Sequence, residues 1–185
     1  MRKASARLAR LKEKSLGFTL IEIMIVIAVI GMLSIVTVPK YQGLIDHYHL
    51  ESSAQIVAGQ LRNAKQYAMD RRTNIYVMFN LTSVQIFYVD EVSHEFVSLE
   101  DQKKFDLGIF FESGESQGVM ALSDVIDDFE YEPSIIPPYD QCLIFDRKGF
   151  LNDYPVKIAL ANTRTPQGDV YVNLTSDSLE VKITW

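Results

Sequence analysis

Lys14-Ser15-Leu16-Gly17-Phe18-Thr19-Leu20-Ile21-Glu22-Ile23 joins a basic leader to a long apolar run, and this junction decides the reading of the 185-residue chain. Residues 18–38 number 21 and carry one charge, Glu22. As a helix rising about 1.5 Å per residue they reach roughly 31 Å, which matches the hydrocarbon core of a bilayer. The leader sets Arg2, Lys3, Arg7, Arg10, Lys12 and Lys14 against Glu13. That positive surplus is kept in the cytoplasm by the positive-inside rule, which leaves the bulk of the chain outside it. A secretory signal peptide places its small-residue cleavage site beyond the apolar core. Here Gly17 stands before the run, and the exit, Ser34-Ile35-Val36-Thr37-Val38-Pro39-Lys40, holds no Ala-x-Ala.

The decapeptide 14–23 resembles the processing site of type IV prepilins and type II secretion pseudopilins, and Pro39 falls where such subunits commonly kink the helix. The resemblance implies that prepilin peptidase cuts after Gly17 and N-methylates the new amino terminus, Phe18. It further implies a single-pass inner-membrane protein with a cytoplasmic amino terminus and a periplasmic or extracellular head, handled by the inner-membrane assembly platform. An ionisable side chain within a membrane segment is costly and calls for a partner or a function. A freed Phe18 α-amine is a cation near its reference pKa of about 7.7 to 8.0. The family implies that Glu22 neutralises the amine of a neighbouring subunit. A contact of that kind, repeated head to tail without closing, builds a helical filament. The plainer reading of Glu22 is a carboxylate at the interfacial end of an ordinary anchor.

With the leader's six basic and one acidic residues removed, 12 Lys and Arg face 23 Asp and Glu, a net charge of −11. So acidic a head argues against nucleic acid as a partner, since that needs clustered cations to displace counterions. The pairs Arg71-Arg72 and Lys103-Lys104 read as solvated surface. The 147 residues beyond the membrane segment suffice for one modest domain. The single cysteine, Cys142, cannot form an intramolecular disulfide and reads as a small buried residue.

Past Pro39, the residues Tyr41, Leu44, Ile45, Tyr48, Ala54, Val57, Leu61, Ala64 and Ala68 recur at three- and four-residue spacing, with Asp46, Glu51, Gln60, Arg62, Lys65 and Arg71 between them. This predicts an amphipathic continuation packed on a sheet, so that one helix runs over residues 18–70, loosened at Gly31, Pro39 and Gly43. From Thr73 the period becomes two. Strands are expected at 75–80 and 84–89 and at 170–174 and 179–184, the last pair forming a hairpin through residues 175–178, with weaker strands near 94–99, 105–111, 119–122, 142–146 and 156–161. Residues 112–118 and 132–141 read as exposed loops.

The expected fold is α+β: a long amino-terminal helix, its first half transmembrane, packed on an antiparallel β-sheet head in a pilin-like lollipop. The segments are a cleaved leader at 1–17, a transmembrane and assembly helix at 18–38, its amphipathic continuation at 39–72 and a β-rich head at 73–185. Gln60-Leu61-Arg62-Asn63-Ala64-Lys65-Gln66-Tyr67-Ala68-Met69-Asp70-Arg71-Arg72 is similar to the helix end of the GspH/FimT minor pseudopilin group. Phe145-Asp146-Arg147-Lys148-Gly149-Phe150, Ile158-Ala159-Leu160 and Gly168-Asp169-Val170-Tyr171-Val172 resemble its terminal strands and turns. The resemblance implies a minor subunit that primes or caps a type II secretion pseudopilus or a type IV pilus, with other pilin or pseudopilin subunits and membrane lipid as partners. The alternative is a FimT-like pilus-tip subunit that captures DNA for natural transformation.

No catalytic constellation emerges, which makes the chain no enzyme, and no cofactor is expected. His47 and His49, two apart on a helix, diverge by about 200° and cannot share a metal; His94 sits among acids on an expected strand. Asp124, Asp127, Asp128, Glu130 and Glu132 lack the order of a calcium loop and read as a solvated acidic stretch, so no metal is assigned. Asn80-Leu81-Thr82 and Asn173-Leu174-Thr175 match a glycosylation sequon that means little in a bacterial protein.

Overall fold

The structure is a computed structural model and describes residues 17–127, 138–151, 155–164, 170–174 and 179–183. Helix α1 (Leu20–Arg71, 52 residues) carries the amino-terminal third. It is followed by β1 (Ile75–Asn80), β2 (Ser83–Val89), β3 (Phe96–Ser98), β4 (Lys103–Lys104), β5 (Ile109–Phe111) and β6 (Met120–Ala121). A short helix, α2 (Leu122–Asp127), precedes β7 (Gln141–Phe145), β8 (Val156–Asn162), β9 (Val170–Leu174) and β10 (Leu179–Ile183). From Leu20 to Tyr41 the chain is helix alone; the residues from Gln42 onward form a compact unit of their own.

Within that unit α1 buries Leu50, Ala54, Val57, Ala58, Leu61, Ala64 and Ala68. These recur every three or four residues, so one stripe faces the core. Four of the seven are alanines, small enough to let the helix backbone approach the strands. The packed stripe is shorter than its sequence pattern: Tyr41, Leu44 and Tyr48 are exposed, and the buried face begins at Asp46 and Leu50. Asp46 is held by an ion pair from its Oδ1 to Arg164 Nη1 at 3.7 Å.

The strands form two antiparallel sheets where the sequence suggested one. The first has six strands in the order β3-β2-β1-β7-β6, with β4 on β2; the second runs β10-β9-β8-β5. The change comes from β5, which leaves its sequence neighbours to pair with β8, setting Phe110 opposite Ala161. Phe111 then stacks on Phe79 of β1 at 5.1 Å between centroids and 18° between planes, tying the two sheets together. β1 is buried on both faces: Ile75, Val77 and Phe79 join the α1 core, while Tyr76 and Met78 enter a second cluster with Phe87, Leu122, Val125, Tyr139 and Cys142.

Three other expectations need correction. Of the strand expected at 105–111 only β5 is found, preceded by a turn at Leu107-Gly108, and the short β4 lies just before that stretch. At 119–122 the strand stops at Ala121 and gives way to α2, so Asp124 and Asp127 are helical. His94 is in the turn between β2 and β3, with φ 54°, and not on a strand. The 112–118 loop is found, with Gln117 bridging to Lys157. Leu174 and Leu179 face each other across the β9–β10 pair, while the expected turn at 175–178 and most of the 132–141 loop lie outside the described residues.

Glu100 fastens the head to α1. Its carboxylate accepts from Gln60 Nε2 at 2.9 Å, Asn63 Nδ2 at 3.0 Å and the Tyr67 hydroxyl at 2.9 Å, three donors on one face of the helix. Burial pushes the Glu100 pKa up, but the three donors together outweigh it and hold the group below its ordinary value. The Tyr67 hydroxyl is pushed up, first by that hydrogen bond and then by the carboxylate's charge.

Candidate assembly site

Residues Gly17, Phe18 and Thr19 precede the helix, and Thr19 is its amino-terminal cap. Glu22 N donates to Thr19 Oγ1 at 3.3 Å, and Thr19 N donates to Glu22 Oε2 at 3.4 Å. A Thr three residues before a Glu is the reciprocal arrangement that satisfies two of the donors left over at a helix start. Glu22 therefore stands in the first turn with its carboxylate held toward the amino terminus by Thr19. Thr19 thereby joins Glu22 as a residue of this site, and Thr19-Leu20-Ile21-Glu22 carries the capping signature in the sequence itself.

From Phe18 to Val38 the large apolar side chains are exposed, among them Phe18 at 78 %, Leu20 at 80 %, Met32 at 75 % and Ile35 at 76 %. The stretch is long and apolar enough to cross a membrane, and none of it is buried within the chain. So much exposed apolar surface needs a lipid or protein environment. Two hydroxyls in the run are satisfied locally: Ser34 Oγ donates to the Ile30 carbonyl at 2.8 Å and Thr37 Oγ1 to the Leu33 carbonyl at 2.9 Å. That is what a polar side chain in lipid requires, because no water is there to serve it. α1 continues through Gly31, Pro39 and Gly43. Pro39 has no N–H to give the Ile35 carbonyl, which weakens the helix at the end of the apolar run.

The other residues singled out by sequence are not brought together. His49 Nδ1 lies 3.4 Å from Asp106 Oδ2, and Asn80 donates through Nδ2 to the Pro138 carbonyl at 3.1 Å. Among the described residues no three His, Cys, Asp or Glu side chains are grouped as a metal would need. Asp128, Glu130 and Glu132 lie outside them. Cys142 is buried on β7, and burial pushes its thiol up to about 12, the opposite of an activated nucleophile.

Residues 13–38 match the model of the prokaryotic N-terminal methylation motif. The chain is similar to the fimbrial protein EcpC of Eikenella corrodens, 38% identical over 61 residues, which are 33% of this chain and 40% of that one. It is also similar to the type IV major fimbrial protein FimA of Dichelobacter nodosus, 43% identical over 54 residues, 29% of this chain and 34% of that one. The matches thus span well under half of either relative. The fold is similar to that of the minor pseudopilin EpsH from the type 2 secretion system of Vibrio cholerae, with a TM-score of 0.50 at 11% identity, covering 73% of this chain and 97% of that one. The chain thus joins the prokaryotic N-terminal methylation motif to an α+β fold built on a long amino-terminal helix, and the proteins it resembles in sequence and in fold are structural subunits of the type IV pilin and pseudopilin superfamily.

Proposed function

We propose that the chain is a minor pseudopilin-type subunit of a type II secretion pseudopilus or a type IV pilus, made as a precursor, cut after Gly17 by prepilin peptidase, N-methylated at Phe18 and assembled through α1 to prime or cap the filament. The observation that carries this reading is the exposed apolar first half of α1, headed by the 13–38 motif and holding one carboxylate, Glu22, in its first turn. Before assembly the bilayer covers the apolar surface and leaves the leader's cations in the cytoplasm. In the filament, neighbouring helices cover it, and Glu22 meets the Phe18 amine of an adjacent subunit. That pair fixes the axial register, because a carboxylate away from water is stable only beside a cation. The loosened helix at Pro39 lets the segment bend between lipid and filament.

A minor role is supported by the likeness to the fold of EpsH, a minor pseudopilin, and by the resemblance of residues 60–72, 145–150, 158–160 and 168–172 to the GspH/FimT group. The net charge of −11 for residues 18–185 weighs against DNA capture as the head's main task. Expression in a host carrying a complete pilus or pseudopilus system, with and without its prepilin peptidase, tests the reading. The subunit should be sheared from cells with the filament only when the peptidase is present, and its absence from filaments despite cleavage would overturn the proposal.

A further inference from the structure

At the end of α1, three turns converge on a cavity of about 300 Å³ lined by Arg72, Thr73, Tyr76, Glu91, His94 and Arg147 among others. Arg72 follows the last residue of α1 with φ 55°, the left-handed position that closes a helix and is usually filled by glycine. His94 takes φ 54° in the turn from Asp90 to Glu95. That turn is fixed by His94 N donating to the Asp90 carbonyl at 2.9 Å and by Ser93 donating to the Asp90 carboxylate through N at 3.2 Å and Oγ at 2.9 Å. Among the described residues these two are the only non-glycines with positive φ, and both line this one cavity. The third turn brings Arg147, next to Asp146. The Asp146 carboxylate accepts from Lys148 N at 2.9 Å and Phe150 N at 2.8 Å and shapes the turn.

A left-handed backbone costs an ordinary side chain stability that glycine would not lose, and such strain persists where a side chain is needed in that place. Among the described residues neither Arg72 nor Arg147 has an ion-pair partner. A guanidinium presents a planar fork of donors that fits an oxyanion in a bidentate way. Among the residues lining the cavity, the two guanidiniums outnumber the single carboxylate of Glu91.

We propose that this cavity binds the carboxylate of an acidic side chain on a neighbouring subunit. This rests on the filament reading for its source of ligand, and the chemistry follows from the cavity. A polyanion such as DNA would have to approach a head of strong negative charge and pass Glu91. A single carboxylate is screened from the more distant charges of the head and meets two guanidiniums against the one carboxylate, Glu91, in the lining itself.

The test uses the full chain in detergent micelles, so that it does not depend on cleavage or assembly. The probes are a terminally blocked Ala-Glu-Ala peptide, its Ala-Gln-Ala counterpart, inorganic phosphate and an oligo-dT strand, and the readout is the Nε–H NMR signals of the arginines. The expected result is a saturable shift of the Arg72 and Arg147 signals by the Glu peptide, with the Gln peptide weaker by about tenfold. R147Q should weaken the Glu peptide to a similar degree. R72G should do the same while raising the melting temperature, because glycine relieves the left-handed strain. Equal response to both peptides, or unchanged binding in both variants, would overturn the proposal. Phosphate or oligo-dT binding more tightly than the Glu peptide, and lost in both variants, would replace a protein carboxylate with a phosphate ligand.

Discussion

Thr19 and Glu22 cap each other at the start of α1, each backbone N–H donating to the other's side-chain oxygen at 3.3 to 3.4 Å. The one carboxylate of the apolar run therefore has two tasks, closing the helix start and supplying a negative charge. Glutamine performs the first and not the second. E22Q should be cleaved normally, keep its helix start and fail to enter filaments, as should E22A. Filament yield from sheared cells, alongside the extent of cleavage, separates the two roles. Wild-type assembly of E22Q would reduce Glu22 to a cap.

Glu100 makes the head's hold on α1 dependent on pH. Its folded pKa lies below the ordinary 4.5, with burial opposing the three donors Gln60, Tyr67 and Asn63. A depressed carboxylate adds stability above its unfolded pKa and loses it as pH falls through the folded value. E100A should lower stability at pH 7 by about 1 kcal/mol, a figure kept small because the group is partly exposed. The difference from wild type should shrink below pH 4.5. A gap that stayed constant from pH 7 to pH 3 in thermal melts would contradict this.

Cys142 should be inert in the folded chain. With the thiol pushed from 9.0 to about 12 by burial, its thiolate fraction at pH 8 falls about a thousandfold, apart from the steric shielding of a fully buried side chain. A maleimide should label it only after denaturant is added. Rapid labelling of the native protein would show that β7 opens readily.

Gly149 closes the turn beside α1 with φ 79°, and a Cβ there would lie 2.9 Å from Met69 Cγ and 3.3 Å from the Lys65 carbonyl oxygen. G149A should cost about 1–2 kcal/mol from the left-handed backbone alone, and more from the contact. Denaturant unfolding measures it, and a loss below about 0.5 kcal/mol would mean that the turn shifts freely away from the helix.

The parts of the fold that were legible in the sequence are those with long, consistent periods. The apolar run from Phe18 and the alternation Ile75-Tyr76-Val77-Met78-Phe79 dictate their elements, and Gly17, Phe18 and Glu22 are read from a linear motif. α2 was hidden because Leu122-Ser123-Asp124-Val125-Ile126-Asp127 is too short for a helical period to show, and its buried pair, Leu122 and Val125, is a single i, i+3 step in an acidic stretch. The division into two sheets was hidden because β5 pairs with β8 across some fifty residues, a contact that no local pattern in the sequence marks. The cavity at the end of α1 was hidden for a related reason: Arg72 and His94 take backbone conformations that their side chains disfavour, so nothing in the linear pattern marks the turns they occupy.

The most direct test of the account is the intact mass and amino-terminal sequence of the membrane-extracted protein, with and without prepilin peptidase. The account predicts a mature chain that begins at methylated Phe18 only when the peptidase is present. An uncleaved start in its presence, or a cut after Val38, would make the apolar helix an ordinary anchor or export signal and contradict the filament role.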